Sequence, residues 1–296
     1  MPCRMRKLSL LFLAIISCFS LIAQTNNDPV YVNFSYFPSQ EMTELDSKAS
    51  LKIAEVSAVS PKLFSNEKFE IYVQTSYKYS HYTTESLVSD KDNFHLNDIR
   101  VGFIFRYLLS EKYEIIVLPR INIRSDFESK LSKNDFFPSF NAIGLKKSPA
   151  IPDLTYGIGI TYNNDLNKDV ILPLGYLKYK TEKLRIYAIL PSFAHLSLTP
   201  KETFEYGLSY HFDAAIFHVD SQFGTDAAYL KTLNITAAPT VSYNLTGNFW
   251  LNAKAGYSIF RNYHFLDKDF ENLPVTENNN LKESFFATIG LSLRMD

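Results

Sequence analysis

From Phe69 onward the chain repeats segments of about ten residues in which every second side chain is apolar or aromatic. The cleanest runs from Phe69 to Tyr79. Phe69, Ile71, Val73, Tyr77 and Tyr79 share one parity, and Glu70, Gln74, Ser76 and Lys78 share the other. Strand side chains alternate with a period of two, so such a segment has one apolar face and one wet face. In a soluble sandwich the apolar face is the core. In a transmembrane barrel it meets lipid, and the polar face lines the lumen.

What precedes these segments favours the barrel. Arg4, Arg6 and Lys7 lead into an apolar run from Leu8 to Ile22, with Ala23 before Gln24. This is the layout of a secretory signal, and cleavage is expected after Ala23. The run is shorter than the roughly 20 residues a helical span needs. Ile15-Ile16-Ser17-Cys18 offers a competing lipobox-like site, but the apolar run continues past Cys18. Both cysteines, Cys3 and Cys18, fall in the signal, so a chain beginning at Gln24 has no thiol for a disulfide, a catalyst or a metal. With 30 basic and 31 acidic residues and no basic block, nucleic acid is not an expected partner. Nothing in the sequence calls for a cofactor.

The expected organisation is a signal peptide at 1–23, an N-terminal lead or first strand at 24–48, and an all-β antiparallel transmembrane barrel at 49–296. Alternation places twelve strands, at 51–59, 67–80, 95–108, 112–124, 140–147, 153–162, 170–180, 184–194, 204–219, 228–243, 248–263 and 283–294. Many reach the ~9–11 residues that a tilted strand needs to cross a bilayer. Short polar turns such as Ser110-Glu111, and the long tracts 81–94, 125–139 and 266–282, fit periplasmic turns and extracellular loops. Twelve strands leave two long tracts on the wrong side. Adding Val30 to Phe37 and splitting 204–219 at Asp213 gives fourteen and corrects this, so the range is ten to fourteen. Pro119, Pro173, Pro191 and Pro239 then need bulges or strand ends, because a closed barrel has no edge for a missing N–H.

Leu172-Pro173-Leu174-Gly175 running to Tyr179, Ile189-Leu190-Pro191, Glu205-Tyr206-Gly207, and Ala255-Gly256-Tyr257-Ser258 running to Arg261 resemble an uncharacterised family of Bacteroidota outer-membrane barrels. The resemblance implies location and fold: the outer membrane of a Gram-negative bacterium, with its lipid and the barrel-assembly machinery as partners. The chain closes Leu293-Arg294-Met295-Asp296, without the terminal aromatic of the usual proteobacterial assembly signal.

The best-defined polar constellation lies on two adjacent strands. Asp98, Arg100 and Arg106 share one face of the first, and Glu114, Arg120 and Arg124 one face of the second. Such a set is either a constriction that filters anionic solutes or a salt-bridged lining. His211 with Asp213 and His218 with Asp220 have opposite parities on a continuous strand, which rules out one shared metal site. His195 and Ser197 share a face but have no identifiable third group, so no catalytic set is assigned. Tyr77, Tyr79, Tyr107, Tyr113, Tyr206, Tyr210, Tyr243, Tyr257 and Tyr263 fit interface girdles, whereas Trp250 falls on the lumenal parity. The expected function is a non-enzymatic barrel, either a pore for small solutes or a structural element. An outer-membrane hydrolase and a secreted β-sandwich are the alternatives.

Overall fold

The computed structural model describes residues 28–41, 47–86, 92–165, 169–220, 227–273, 280–281 and 283–294. The expected signal, with both cysteines, lies outside them. The strands are β1 (Val30–Glu41), β2 (Ser47–Val59), β3 (Phe64–Ser65), β4 (Phe69–Ser86), β5 (Asp92–Leu108), β6 (Tyr113–Ser125), β7 (Phe136–Lys147) and β8 (Leu154–Asn163). They continue as β9 (Val170–Lys180), β10 (Leu184–Leu190), β11 (Phe193–Lys201), β12 (Phe204–His218), β13 (Tyr229–Thr246), β14 (Phe249–Leu266), β15 (Asn280–Leu281) and β16 (Ser284–Leu293). β3 and β15 are two-residue pieces beside β4 and β14. The other fourteen pair antiparallel with their sequence neighbours, and β1 pairs with β16, from Val30 opposite Leu293 to Tyr36 opposite Ala287. The sheet therefore closes on itself. A two-sheet sandwich is excluded.

The count of about twelve is corrected to fourteen, by a different route from the one the sequence suggests. Val30 to Glu41 is a strand, but β12 runs through Asp213 unbroken, and the second extra strand arises because 184–194 turns at Pro191-Ser192. The described parts of all three long tracts then lie at one end of the barrel, the loop end. The connections 181–183, 202–203 and 247–248 lie at the opposite, turn end.

Alternation sets the two faces. Outward-facing Val32, Phe34, Tyr77, Val101, Phe103, Ile121, Ile158, Leu208, Val241, Ile289 and Leu291 are all exposed, which gives an apolar outer belt. Lys52, His81 and His95, paired side by side across β2, β4 and β5, end that belt toward the loop end. Prolines sit where the ladder allows. The β5–β6 ladder passes from Gly102 opposite Arg120 to Phe105 opposite Val117, skipping Pro119. Pro173 lies on β9 beyond Gly175, where pairing with β10 ends.

Inside, the loop end is filled by an apolar core that includes Phe37, Leu51, Tyr82, Leu96, Phe217, Leu230, Tyr263 and Phe286. Phe37 stacks on Phe286 with centroids 5.2 Å apart, and Tyr82 meets Tyr263 edge-on at 5.2 Å. Tyr263 thus leaves the expected girdle. The β13–β14 register shifts between Ile235 and Thr236, so one extra residue on β14 turns Tyr263 inward. Arg261 is buried in the same region with its guanidinium 5.4 Å from the Phe37 ring centroid.

Candidate lumenal site

The six charged residues singled out in the sequence all point inward, but they form two groups and one outlier. Asp98, with no solvent exposure, binds Arg100 at 2.6 Å and Arg124 at 3.2 Å. Arg124 also pairs with Asp165, and Lys78 holds Asp213 at 2.7 Å. Toward the turn end, Arg106 bridges Glu70 at 2.9 Å and Glu114 at 2.5 Å, and Lys62 holds Glu70 at 2.5 Å. Arg120 stands apart, with no ion-pair partner among the described residues, and faces a cavity. Burial in a low-dielectric interior is costly for a charge unless it is paired, which accounts for the close pairing of Asp98 and Arg124. The expected local excess of positive charge does not stand alone. Asp213, Asp165 and Glu70 from other segments offset it.

Sequence reasoning missed those three partners. The parity of Glu70 and Asp213 was readable, and Asp165 lies in the connection after β8, but which distant segment faces β5 and β6 across a lumen is a property of barrel closure.

The cavity encloses about 470 Å³, within the ~300–1,000 Å³ typical of small-molecule sites. Its charged lining comprises Arg100, Arg106, Arg120, Arg124, Lys147 and Lys178 against Glu114, Asp165 and Asp213. The rest is largely apolar, including Ile104, Ile116, Leu118, Ile143, Leu172, Leu174, Ile189 and Phe193. Glycines on β8 make room for one wall. A Cβ on Gly159 would sit 2.1 Å from the Ala142 carbonyl oxygen, and one on Gly157 would sit 2.2 Å from that of Gly144.

β12 forms the far wall and leans across the barrel mouth. Ile216, on the outward parity, is fully buried against Phe137, which projects from the inner face of β7. His218 bridges to Ser125 of β6, and its Nδ1 lies 2.9 Å from Asp135 Oδ1 in the 3-10 turn Lys133–Asp135. His211 and Asp213 line the cavity, whereas His218, of the opposite parity, is engaged by Asp135, so the two His–Asp pairs do not converge. Among the described residues no three His, Cys, Asp or Glu side chains gather as a metal site.

A second polar cluster closes the turn end. Glu205 accepts from Arg185 at 3.2 Å and from Arg294 at 3.0 Å, and lies 3.4 Å from His195 Nε2. Arg294 stacks over Trp250 at 4.3 Å, on the lumenal side that its parity indicates. Ser197 is fully buried, and the two arginines already engage the Glu205 carboxylate, so this trio has the form of a lining rather than an exposed nucleophile. Asn252 donates to Ser292 at 2.9 Å, placing it inward while Ala253 is exposed outward.

A closed antiparallel ring with an apolar exterior and a charged lumen is the geometry into which the family comparison fits. The family model that matches is described as Domain of unknown function (DUF6268), over residues 19–294. The chain belongs to this family. No curated protein matches the DUF6268 chain. Among solved structures it is similar to an outer membrane channel from Pseudomonas putida F1, with 7% identity, 93% of this chain and 98% of that chain covered, and a TM-score of 0.47. It is also similar to the NanC porin (11% identity, 90% and 99% covered, TM-score 0.38). A third is the translocator domain of the autotransporter NalP from Neisseria meningitidis (9% identity, 97% and 96% covered, TM-score 0.35). At such identities the likeness is one of fold.

Proposed function

We propose that this chain is a non-enzymatic outer-membrane barrel of a Gram-negative bacterium whose lumen holds and passes small anionic solutes. The observation that carries this reading is the combination of an apolar belt outside with a cavity inside that has six basic and three acidic side chains on its wall. Only a closed barrel satisfies its backbone hydrogen bonds while presenting strands to lipid. Fixed positive charge in a narrow lumen attracts anions and repels cations. Outer-membrane lipid and the barrel-assembly machinery are the partners this location implies.

Reconstitution in a planar bilayer under a salt gradient tests the reading. The expected reversal potential is that of an anion-preferring passage, reduced in Arg120→Ser. A cation preference, or one that Arg120→Ser leaves unchanged, would reject the lumenal assignment. Absence of any conductance and of any solute uptake would leave a structural barrel.

A further inference from the structure

The barrel wall has a gap. β10 stops at Leu190, opposite Gly175 of β9, and β11 begins at Phe193, opposite His211 of β12. Above the Pro191-Ser192 turn, residues 170–174 of β9 pair only with β8, and residues 213–217 of β12 pair only with β13, Phe212 still donating its N–H to the Ser192 carbonyl at 2.8 Å. Two strand edges thus face each other with no strand between them. The turn forms the sill, and above it β12 leans toward β6, where His218 meets Ser125.

The cavity reaches this gap, since Leu172, Pro191, Ser192, Phe193, Phe212 and Ala214 belong to its lining. The outer surroundings of the gap are apolar. Ile171 is 68% exposed, Leu190 51% and Leu208 62%. The gap therefore opens within the lipid-facing belt, while the route along the barrel axis is filled at the loop end by the aromatic core around Phe37, Tyr82 and Phe286. The gap is thus a side opening to the cavity, whose lining also runs to Lys147, Thr155 and Lys178 toward the turn end.

We propose that the cavity is a binding site for an anionic amphiphile of the fatty-acid type, admitted from the bilayer through the gap between β9 and β12. The lining divides in the way such a molecule would need. Leu172, Leu174, Ile189 and Phe193 offer an apolar bed beside the gap, and Arg120 offers a guanidinium not engaged by any carboxylate among the described residues. A guanidinium and a carboxylate form a charge-assisted, bidentate pair, the strongest kind of hydrogen-bonded contact available at such a site. This inference rests on the solute-binding reading above and specifies the class of solute and its route.

The test uses the full mature chain refolded in nanodiscs, with dodecanoate and its uncharged counterpart 1-dodecanol as probes. Dodecanoate should bind saturably, and dodecanol more weakly. Arg120→Gln should weaken dodecanoate binding about tenfold or more, as expected on losing a charged hydrogen bond, and Arg120→Lys, which keeps the charge but not the bidentate fork, should restore part of it. Ser192→Trp, which narrows the gap at its sill, should slow transfer of dodecanoate from the bilayer several-fold. Equal binding of the two probes, or equal binding to folded wild type and folded Arg120→Gln, would overturn the site. An unchanged transfer rate in Ser192→Trp would overturn the route. If the barrel conducts small anions but does not bind dodecanoate, this inference fails and the broader reading stands. Dodecanoate binding without conductance would reject small-ion passage and support the site.

Discussion

The imidazole Nδ1 of His218 lies 2.9 Å from the Asp135 carboxylate and ties the end of β12 to the loop that follows β6. Ser132 adds its backbone N–H to the same carboxylate at 2.6 Å, so Asp135 is a joint between two parts of the barrel mouth. A carboxylate only accepts, so Nδ1 carries the proton.

The first prediction concerns acid. Burial acts to raise the Asp135 carboxyl, but hydrogen bonds from Ser132, Ser125 and His218 outweigh it and hold the group below the usual carboxylate range. A depressed folded value means that this contribution is fully present above the unfolded value of about 3.9 and is lost as pH falls through the folded one. Hydrogen exchange of residues 126–135, taken relative to the intrinsic amide rate at each pH, should therefore become faster below about pH 4 in wild type. In Asp135→Asn it should be faster already at neutral pH and lack that acid step. Identical profiles for the two proteins would remove Asp135 from the joint.

Asp98 carries the second prediction. Asp98→Asn leaves Arg124, itself only 4% exposed, with one fewer partner in the interior. Removing one member of a buried ion pair costs about 3–5 kcal/mol. Denaturant unfolding of the refolded barrel should show a loss of that order. A loss below about 1 kcal/mol, the worth of a solvent-exposed pair, would mean that water screens this cluster.

The two faces give a third. Ile158 is 80% exposed on the outer face of β8, and Asn141 of β7 lines the cavity. Ile158→Arg should destabilise the barrel in lipid by roughly 2–4 kcal/mol, and Asn141→Arg by much less. Equal costs would contradict the register, because a slip of one residue exchanges the faces.

Close approach of two strands supplies the fourth. With a Cβ on Gly159 placed 2.1 Å from the Ala142 carbonyl oxygen and 2.8 Å from the Ile143 Cα, β7 and β8 must separate to admit it. Gly159→Ala should cost roughly 1–3 kcal/mol, the range for overpacking. Gly175→Ala, whose added atom would meet the Leu190 Cβ only at 3.8 Å, should cost far less. Thermal unfolding of the two variants decides between them.

Alternation along β4, β5 and β6 was enough to place Asp98, Arg100, Arg106, Glu114, Arg120 and Arg124 on one side of a wall, because parity is local. Three features were not legible. The turn at Pro191-Ser192 interrupts an apolar run that reads as one strand, since Leu190 and Phe193 look like strand residues on either side of it. The extra residue between β13 and β14 is invisible to a strict period of two, and it reverses the expected position of Tyr263. The third is the leaning of β12. It brings Ile216 against Phe137 through contacts far apart in sequence, which no local pattern encodes.

The seam between β1 and β16 makes the order of the strands cyclic. Asp28 lies 3.4 Å from Arg294, so the two ends of the ring are neighbours in space. Each of the fourteen long strands then pairs with one strand before it and one after, and none of them is first in the ring. A linker between those ends, with the chain reopened at the exposed 181–183 turn, would preserve every ladder pair. What the ribosome makes as a line, the fold holds as a ring whose starting point is arbitrary. The molecule cannot be sealed until its earliest and latest segments meet.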